Sequence, residues 1–251
     1  MTNEFEPQEG QLRREDWKAL ALLLGQLKKE TIRDINDNRT TKEMKGQAEH
    51  IVFFNCGRNS GASQAHRHIQ VVEWPESPSS DEVEEHEKKK KKKVSTGAPR
   101  TKKPRWFPEE LKMEQNSKTP YSHPHIPFTH FILPLPATHP HPNGTPTDYY
   151  LNSLYRTYLL LLTAAKLAIA QYNSRYSTQL PVHYNLIMTQ TFMMLVPRST
   201  GFCEGPKECP EVWVNSVGLL GMVWVKDWME AEGWRVVGCD NVLRAVGIPR
   251  E

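Results

Sequence analysis

Apolar residues recur at spacings of three and four through Trp17, Leu20, Leu24 and Leu27, which lays one stripe along a helix predicted over about Arg14 to Ile35. The same period returns in Leu151, Leu154, Tyr158, Leu161 and Leu162, so a long helix is expected from about Asp148 to Asn173. Between them the pattern changes. "HIVFFNC" is rich in β-branched and aromatic residues and reads as a strand, and residues 64–74 read as a second one. "IPFTHFILPLP" is extended but broken by Pro127, Pro134 and Pro136, which suits an edge strand. "VHYNLIMTQTFMMLVP" predicts two strands joined near Thr189 and Gln190, and "DNVLRAVGIP" a short terminal helix. Helices and strands without a βαβ rhythm point to an α+β fold with an antiparallel sheet and flanking helices.

One region has no such pattern. From Asp81 to Glu87 there are five acids, then six lysines from Lys88 to Lys93, with almost nothing apolar nearby. The reading is a structured part over 1–75, a charged and mostly disordered insertion over 76–120, and the rest of the same domain over 121–251. The insertion agrees with a hydrophobic content of only 38% and a mean hydropathy of -0.62.

A net charge of +3 does not call for nucleic acid or an anionic membrane as partner. The most apolar run, 158–170, carries Lys166 and is too short to cross a bilayer. Cys56, Cys203, Cys209 and Cys239 form no CxxC pair, so reduced thiols and no cysteine zinc site are expected. The cytoplasm is the expected compartment, and the lysine run adds the nucleus as a second one.

Candidate chemistry concentrates in "NCGRNSGASQAHRHIQ", residues 55–70. On a strand His66, His68 and Gln70 would share a face, opposite Arg67, Ile69 and Val71. Ahead of them Gly57 and Gly61 let backbone N–H groups approach an anion, while Asn55, Ser60, Ser63 and Gln64 add neutral donors. Spacing alone leaves three readings open. A neutral imidazole could attack phosphorus, the two histidines could bind a metal for which no third ligand is evident, or they could be bonded inside a polar core.

The segment "FFNCGRNSGASQAHRHIQ" resembles the active-site stretch of fungal-type ATP adenylyltransferases, also called diadenosine tetraphosphate phosphorylases, within the wider histidine-triad superfamily. "FEPQEGQL", "IPFTHFILPLP", "YNLIMTQTFMMLVPRS" and "VNSVGLLGMVWVKD" are similar to further family segments. Sugar-nucleotide transferases share the His-x-His-x-Gln ending, but the GASQ loop and VNSVG favour the adenylyl branch.

The resemblance implies a histidine-triad-like fold that lacks the family's N-terminal part, and a nucleotidyltransferase acting through an AMP-histidine. It implies His68 as nucleophile, with His66 supporting it and Gln70 on a phosphate oxygen. It also implies phosphate and nucleotide contacts from Asn55, Gly61, Ala62, Ser63, Gln64, Asn215, Ser216, Val217, Met222 and Lys226. Expected ligands are a dinucleoside polyphosphate, ATP, ADP and inorganic phosphate. No resident metal is implied, although Mg could accompany the nucleotide. The alternative is a weak or inactive nucleotide-binding relative. His130 is expected to be structural, and His123, His125, His139 and His141 to lie in surface loops.

Overall fold

The computed structural model describes residues 4–36, 50–73, 117–136 and 146–250. Helix α1 spans Arg14–Asn36, where the Asp16 carboxylate accepts from the Arg13 N–H at 2.7 Å and closes its first turn. Strand β1 is His50–Cys56, a one-turn 3-10 helix covers Arg58–Ser60, and β2 is Gln70–Glu73. Strand β3 is Phe131–Pro134. Helix α2 runs over Asp148–Tyr176, capped by the Thr147 hydroxyl, which accepts from the Tyr150 N–H. Strands β4 (Tyr184–Met188), β5 (Phe192–Pro197), β6 (Phe202–Glu204) and β7 (Glu211–Trp213) follow. The short helices α3 (Ser216–Leu219), α4 (Trp228–Val237) and α5 (Cys239–Val246) close the chain.

Five strands form one antiparallel sheet in the order β2-β1-β4-β5-β3, and β6 pairs with β7 separately. The sheet is buried on both faces. Trp17 and Leu20 of α1 and Leu154, Tyr158 and Leu161 of α2 cover Val52, Phe54, Leu186 and Leu195 on one side. Ile51, Phe53, Ile187 and Met194 point the other way, against Phe128, Val212, Val214, Trp234 and Val246. Two buried faces explain why β1, β4 and β5 read as nearly continuous apolar runs rather than alternating ones.

One expectation is corrected. The strand predicted over 64–74 begins only at Gln70, so neither His66 nor His68 lies in a strand of the main sheet. A segment from the start of the chain intervenes. The Arg67 N–H donates to the Glu6 carbonyl and the Gln8 N–H to the Ala65 carbonyl, both at 2.7 Å, so Pro7 faces His66 as a single bridge. Proline fits there because the two bonds fall on its neighbours and its missing N–H is not needed. The charged insertion between 76 and 116 and the positions of His139 and His141 lie outside the described residues.

Candidate active site

The loop after β1 is shaped by two glycines with positive φ. Gly57 packs on the His183 ring, where a Cβ would sit 2.1 Å from Cδ2. Gly61 packs on the Val214 carbonyl, where a Cβ would sit 2.4 Å away. Neither position admits a side chain, and both need left-handed backbone at φ 80° and 73°. Between them Ser60 Oγ donates to the Gly57 carbonyl at 2.6 Å, and the Asn59 N–H donates to His183 Nδ1 at 3.3 Å. Ser63 and Gln64 stay exposed, and Gly61 and Ala62 are half-buried.

Behind this loop runs a directed hydrogen-bond relay. Arg198 is fully buried and donates to Asn185 Oδ1 at 2.6 Å, and also to the carbonyls of Val246, Thr200 and Val214. A guanidinium only donates, so Asn185 must present its oxygen to Arg198 and its Nδ2 to the other side. That Nδ2 donates to Asn55 Oδ1 at 2.7 Å and to the Ser60 carbonyl at 2.9 Å. Asn55 Oδ1 also accepts from the Ser216 N–H and hydroxyl, at 3.1 and 2.7 Å. With its oxygen saturated by donors, Asn55 has Nδ2 left over, and that group has no acceptor among the described residues. The relay ends on a neutral donor at the foot of the glycine loop.

The charge behind it has the sign an anion needs. Burial pushes the Arg198 pKa down to about 9, which leaves the group protonated at neutral pH. Its acceptors are a side-chain amide and three carbonyls, with no carboxylate among the described residues. A buried cation answered only by dipoles favours negative charge nearby.

On the other flank His68 is half-buried, and its Nδ1 meets the His66 carbonyl at 2.9 Å. A carbonyl only accepts, so in the neutral ring Nδ1 carries the proton and Nε2 carries the lone pair. His66 is anchored through Nε2 to the Glu4 carbonyl at 3.0 Å and sits against the Phe5 ring. Gln8, buried to 2% exposure, accepts from the His68 N–H at 2.7 Å and donates to the Asn55 carbonyl at 2.9 Å.

The remaining expected residues divide. Gly61, Asn215, Val217 and Met222 line a cavity of about 150 Å³ with Trp224 and Trp234. Ser216 is fully buried and is engaged behind Asn55. Lys226 is exposed and does not line the cavity, while Gln70 is exposed on β2. Among the described residues no three His, Cys, Asp or Glu side chains group as metal ligands. His130 is fully buried far along the sheet, with Nδ1 on the Phe128 carbonyl and Nε2 accepting from the His123 N–H.

Sequence reading missed Gln8, Asn185 and Arg198. Asn185 did leave a signal, as the one amide in a strand otherwise apolar on both faces, since a buried amide must find partners. Gln8 left none, because its partners lie 47 and 60 residues away.

Comparison with known proteins finds relatives of one kind. The model of the Ap4A phosphorylase N-terminal domain matches residues 27–84, and that of the ATP adenylyltransferase C-terminal domain matches residues 124–249. Diadenosine 5',5'''-P1,P4-tetraphosphate phosphorylase 2 of Saccharomyces cerevisiae is 28% identical over 180 residues, covering 71% of this chain and 45% of the yeast protein. Protein APA1 of the same yeast is 26% identical over 178 residues, covering 71% and 46%. The chain thus spans about half the length of these relatives. The crystal structure of yeast Ap4A phosphorylase Apa2 superposes with a TM-score of 0.62 at 23% identity, over all of this chain and 69% of that one. Its complex with Ap4A gives 0.57 at 20% identity, over 99% and 68%. With both halves of the described fold matched in this way, the chain belongs to the ATP adenylyltransferase family of Ap4A phosphorylases.

Proposed function

We propose that this protein is a nucleotidyltransferase that cleaves dinucleoside polyphosphates by two displacements at His68. The observation that carries the reading is the Nδ1 bond to the His66 carbonyl, which leaves Nε2 as the nucleophilic nitrogen. In the first step the Nε2 lone pair attacks the α-phosphorus. The bond from that phosphorus to the bridging oxygen breaks, and the nucleoside polyphosphate departs. In the second step an oxygen of inorganic phosphate attacks the same phosphorus, the N–P bond breaks, and ADP leaves. With diadenosine tetraphosphate the products are ATP and ADP, and the reverse reaction uses the same groups.

Charge on the α-phosphate is met by preorganised donors, which stabilise it as it redistributes in the transition state. We assign these to Asn55 Nδ2, the Gly61-Ala62-Ser63-Gln64 loop and Gln70, with Arg198 supplying positive potential from behind. His66 holds the ring of His68. Asn215, Val217 and Met222 offer a cavity of about 150 Å³, the scale that accepts a single aromatic ring. Ser216 serves through Asn55, and Lys226 would reach a phosphate only from the exposed side. A magnesium ion, where the polyphosphate carries one, arrives with the nucleotide. Membership of the family and the likeness to the Apa2 fold support this reading.

The test is intact-mass spectrometry after brief exposure to diadenosine tetraphosphate without phosphate, beside His68→Ala. An acid-labile AMP adduct is expected on the wild type and not on the variant. A folded wild type that takes up no AMP overturns the enzymatic reading and leaves a nucleotide-binding protein.

A further inference from the structure

The β1–β2 ladder pairs His50 with Glu73, Ile51 with Val72, Val52 with Val71 and Phe53 with Gln70. Continued by two residues, the same register would set His68 directly opposite Asn55. The ladder stops short of that rung, and the carboxamide of Gln8 occupies it. Gln8 Oε1 accepts from the His68 N–H at 2.7 Å, and its Nε2 donates to the Asn55 carbonyl at 2.9 Å and the His68 carbonyl at 3.3 Å. The orientation is forced, because the backbone N–H can only donate and the two carbonyls can only accept. A side-chain amide thus stands between the two backbones where a sheet would bond them directly.

We propose that Gln8 is a positioning residue for the nucleophile, a wedge that fixes the peptide of His68 at a set distance from Asn55. This rests on the reading of His68 as the attacking group. Both backbone groups of His68 are taken by one side chain, while its ring is held by the His66 carbonyl, so peptide and imidazole are oriented independently. Gln8 also ties this unit to the donor flank. Its own carbonyl accepts from the Gly57 N–H at 3.3 Å, at the start of the glycine loop, and its N–H donates to Ala65. One residue therefore touches the nucleophile, the Asn55 backbone and the loop. Without the wedge the strands are free to close onto a direct Asn55–His68 rung, which carries Nε2 away from the position for in-line attack.

The test uses Gln8→Met, which keeps the length but not the polar atoms, and Gln8→Glu, which keeps the acceptor for His68 but turns an oxygen towards two carbonyls. Single-turnover formation of the AMP adduct is timed by rapid quench, and AMP affinity is measured by calorimetry on the same proteins. A misplacement of about 1 Å is expected to slow adduct formation about 100-fold in either variant, with little change in AMP affinity. A loss of affinity as large as the loss of rate, or an unchanged rate, overturns the proposal. So does a failure of both variants to fold, which would make Gln8 a folding residue only. If the wild type forms no adduct, the function proposed above falls, and the wedge is judged by hydrogen exchange at the His68 amide. Faster exchange there in Gln8→Met, with Gln70 and Phe53 unchanged, upholds the wedge, and unchanged exchange at His68 overturns it.

Discussion

The two flanks of the candidate site are built in opposite ways. The donor flank belongs to the interior, where Asn55, Asn185, Ser216 and Arg198 are all at most 4% exposed and come from β1, β4, the head of α3 and the end of β5. The nucleophile flank belongs to an edge. His66 and His68 lie outside the sheet, bonded to a strand-like segment that contributes Glu4, Pro7 and Gln8. Substitutions on the first flank that remove a buried bond should therefore damage fold and site together, whereas those on the second can damage chemistry alone.

The largest expected effect breaks the interior flank. Arg198→Met removes a cation and leaves the Val246, Thr200 and Val214 carbonyls and Asn185 Oδ1 without their donor. Buried acceptors left unmet cost about 1–3 kcal/mol each, partly relaxed by the surroundings, so the loss should be about 3–5 kcal/mol. Urea denaturation measures it. A loss under about 1 kcal/mol would mean that the relay carries little of the fold, and the contrast between flanks would collapse.

The pH dependence of stability bears on the interior side of the same contrast, because the buried His130 should contribute to it. Burial lowers the His130 pKa from 6.5 to about 4, against a smaller opposing effect of its bond to Phe128. Between those values the unfolded chain binds more protons than the folded one. Stability is thus fully present above about 6.5 and is lost as the pH falls towards 4. A shift of this size sets a ceiling of about 3 kcal/mol. His123 and His183 are also lowered by burial and act in the same direction. Urea midpoints at pH 7 and near pH 4 should therefore separate less in His130→Gln than in the wild type. Equal separations would place the titration elsewhere.

What the sequence made legible follows from how local each signal is. The stripes on α1 and α2 and the apolar runs of β1, β4 and β5 identify themselves within one segment, and each element was found close to its expected position. The three-residue strands β6 and β7 and the four-residue α3 are too short to show a period, and they owe their form to packing in the second core. The site divides likewise. Asn55, the glycine loop, His66, His68 and Gln70 fall in one stretch of 16 residues and could be seen together. The strand expected through the histidines fails because a bridge at Pro7, some 60 residues upstream, replaces the sheet partner there. Asn185 showed only as an amide in an apolar strand and Arg198 not at all, since what makes them matter is a relay that reaches Asn55 across 130 residues of chain.

The smallest effect is also the most selective, because it leaves both flanks in place and inverts a single group. In Asn55→Asp the inner oxygen can still accept from Asn185 and from Ser216, which keeps the relay. The outer Nδ2 becomes an oxygen, so the foot of the glycine loop presents an acceptor where a phosphate needs a donor. A hydrogen bond to a charged group is worth about 1.5–3 kcal/mol, which corresponds to about a 10- to 150-fold loss of AMP affinity before repulsion is added. Stability should change far less than in Arg198→Met, since the buried contacts survive. Calorimetric titration with AMP beside a urea curve separates the two. Unchanged AMP affinity would show that Asn55 Nδ2 does not face the phosphate, and would reduce the donor flank to a structural support for the loop.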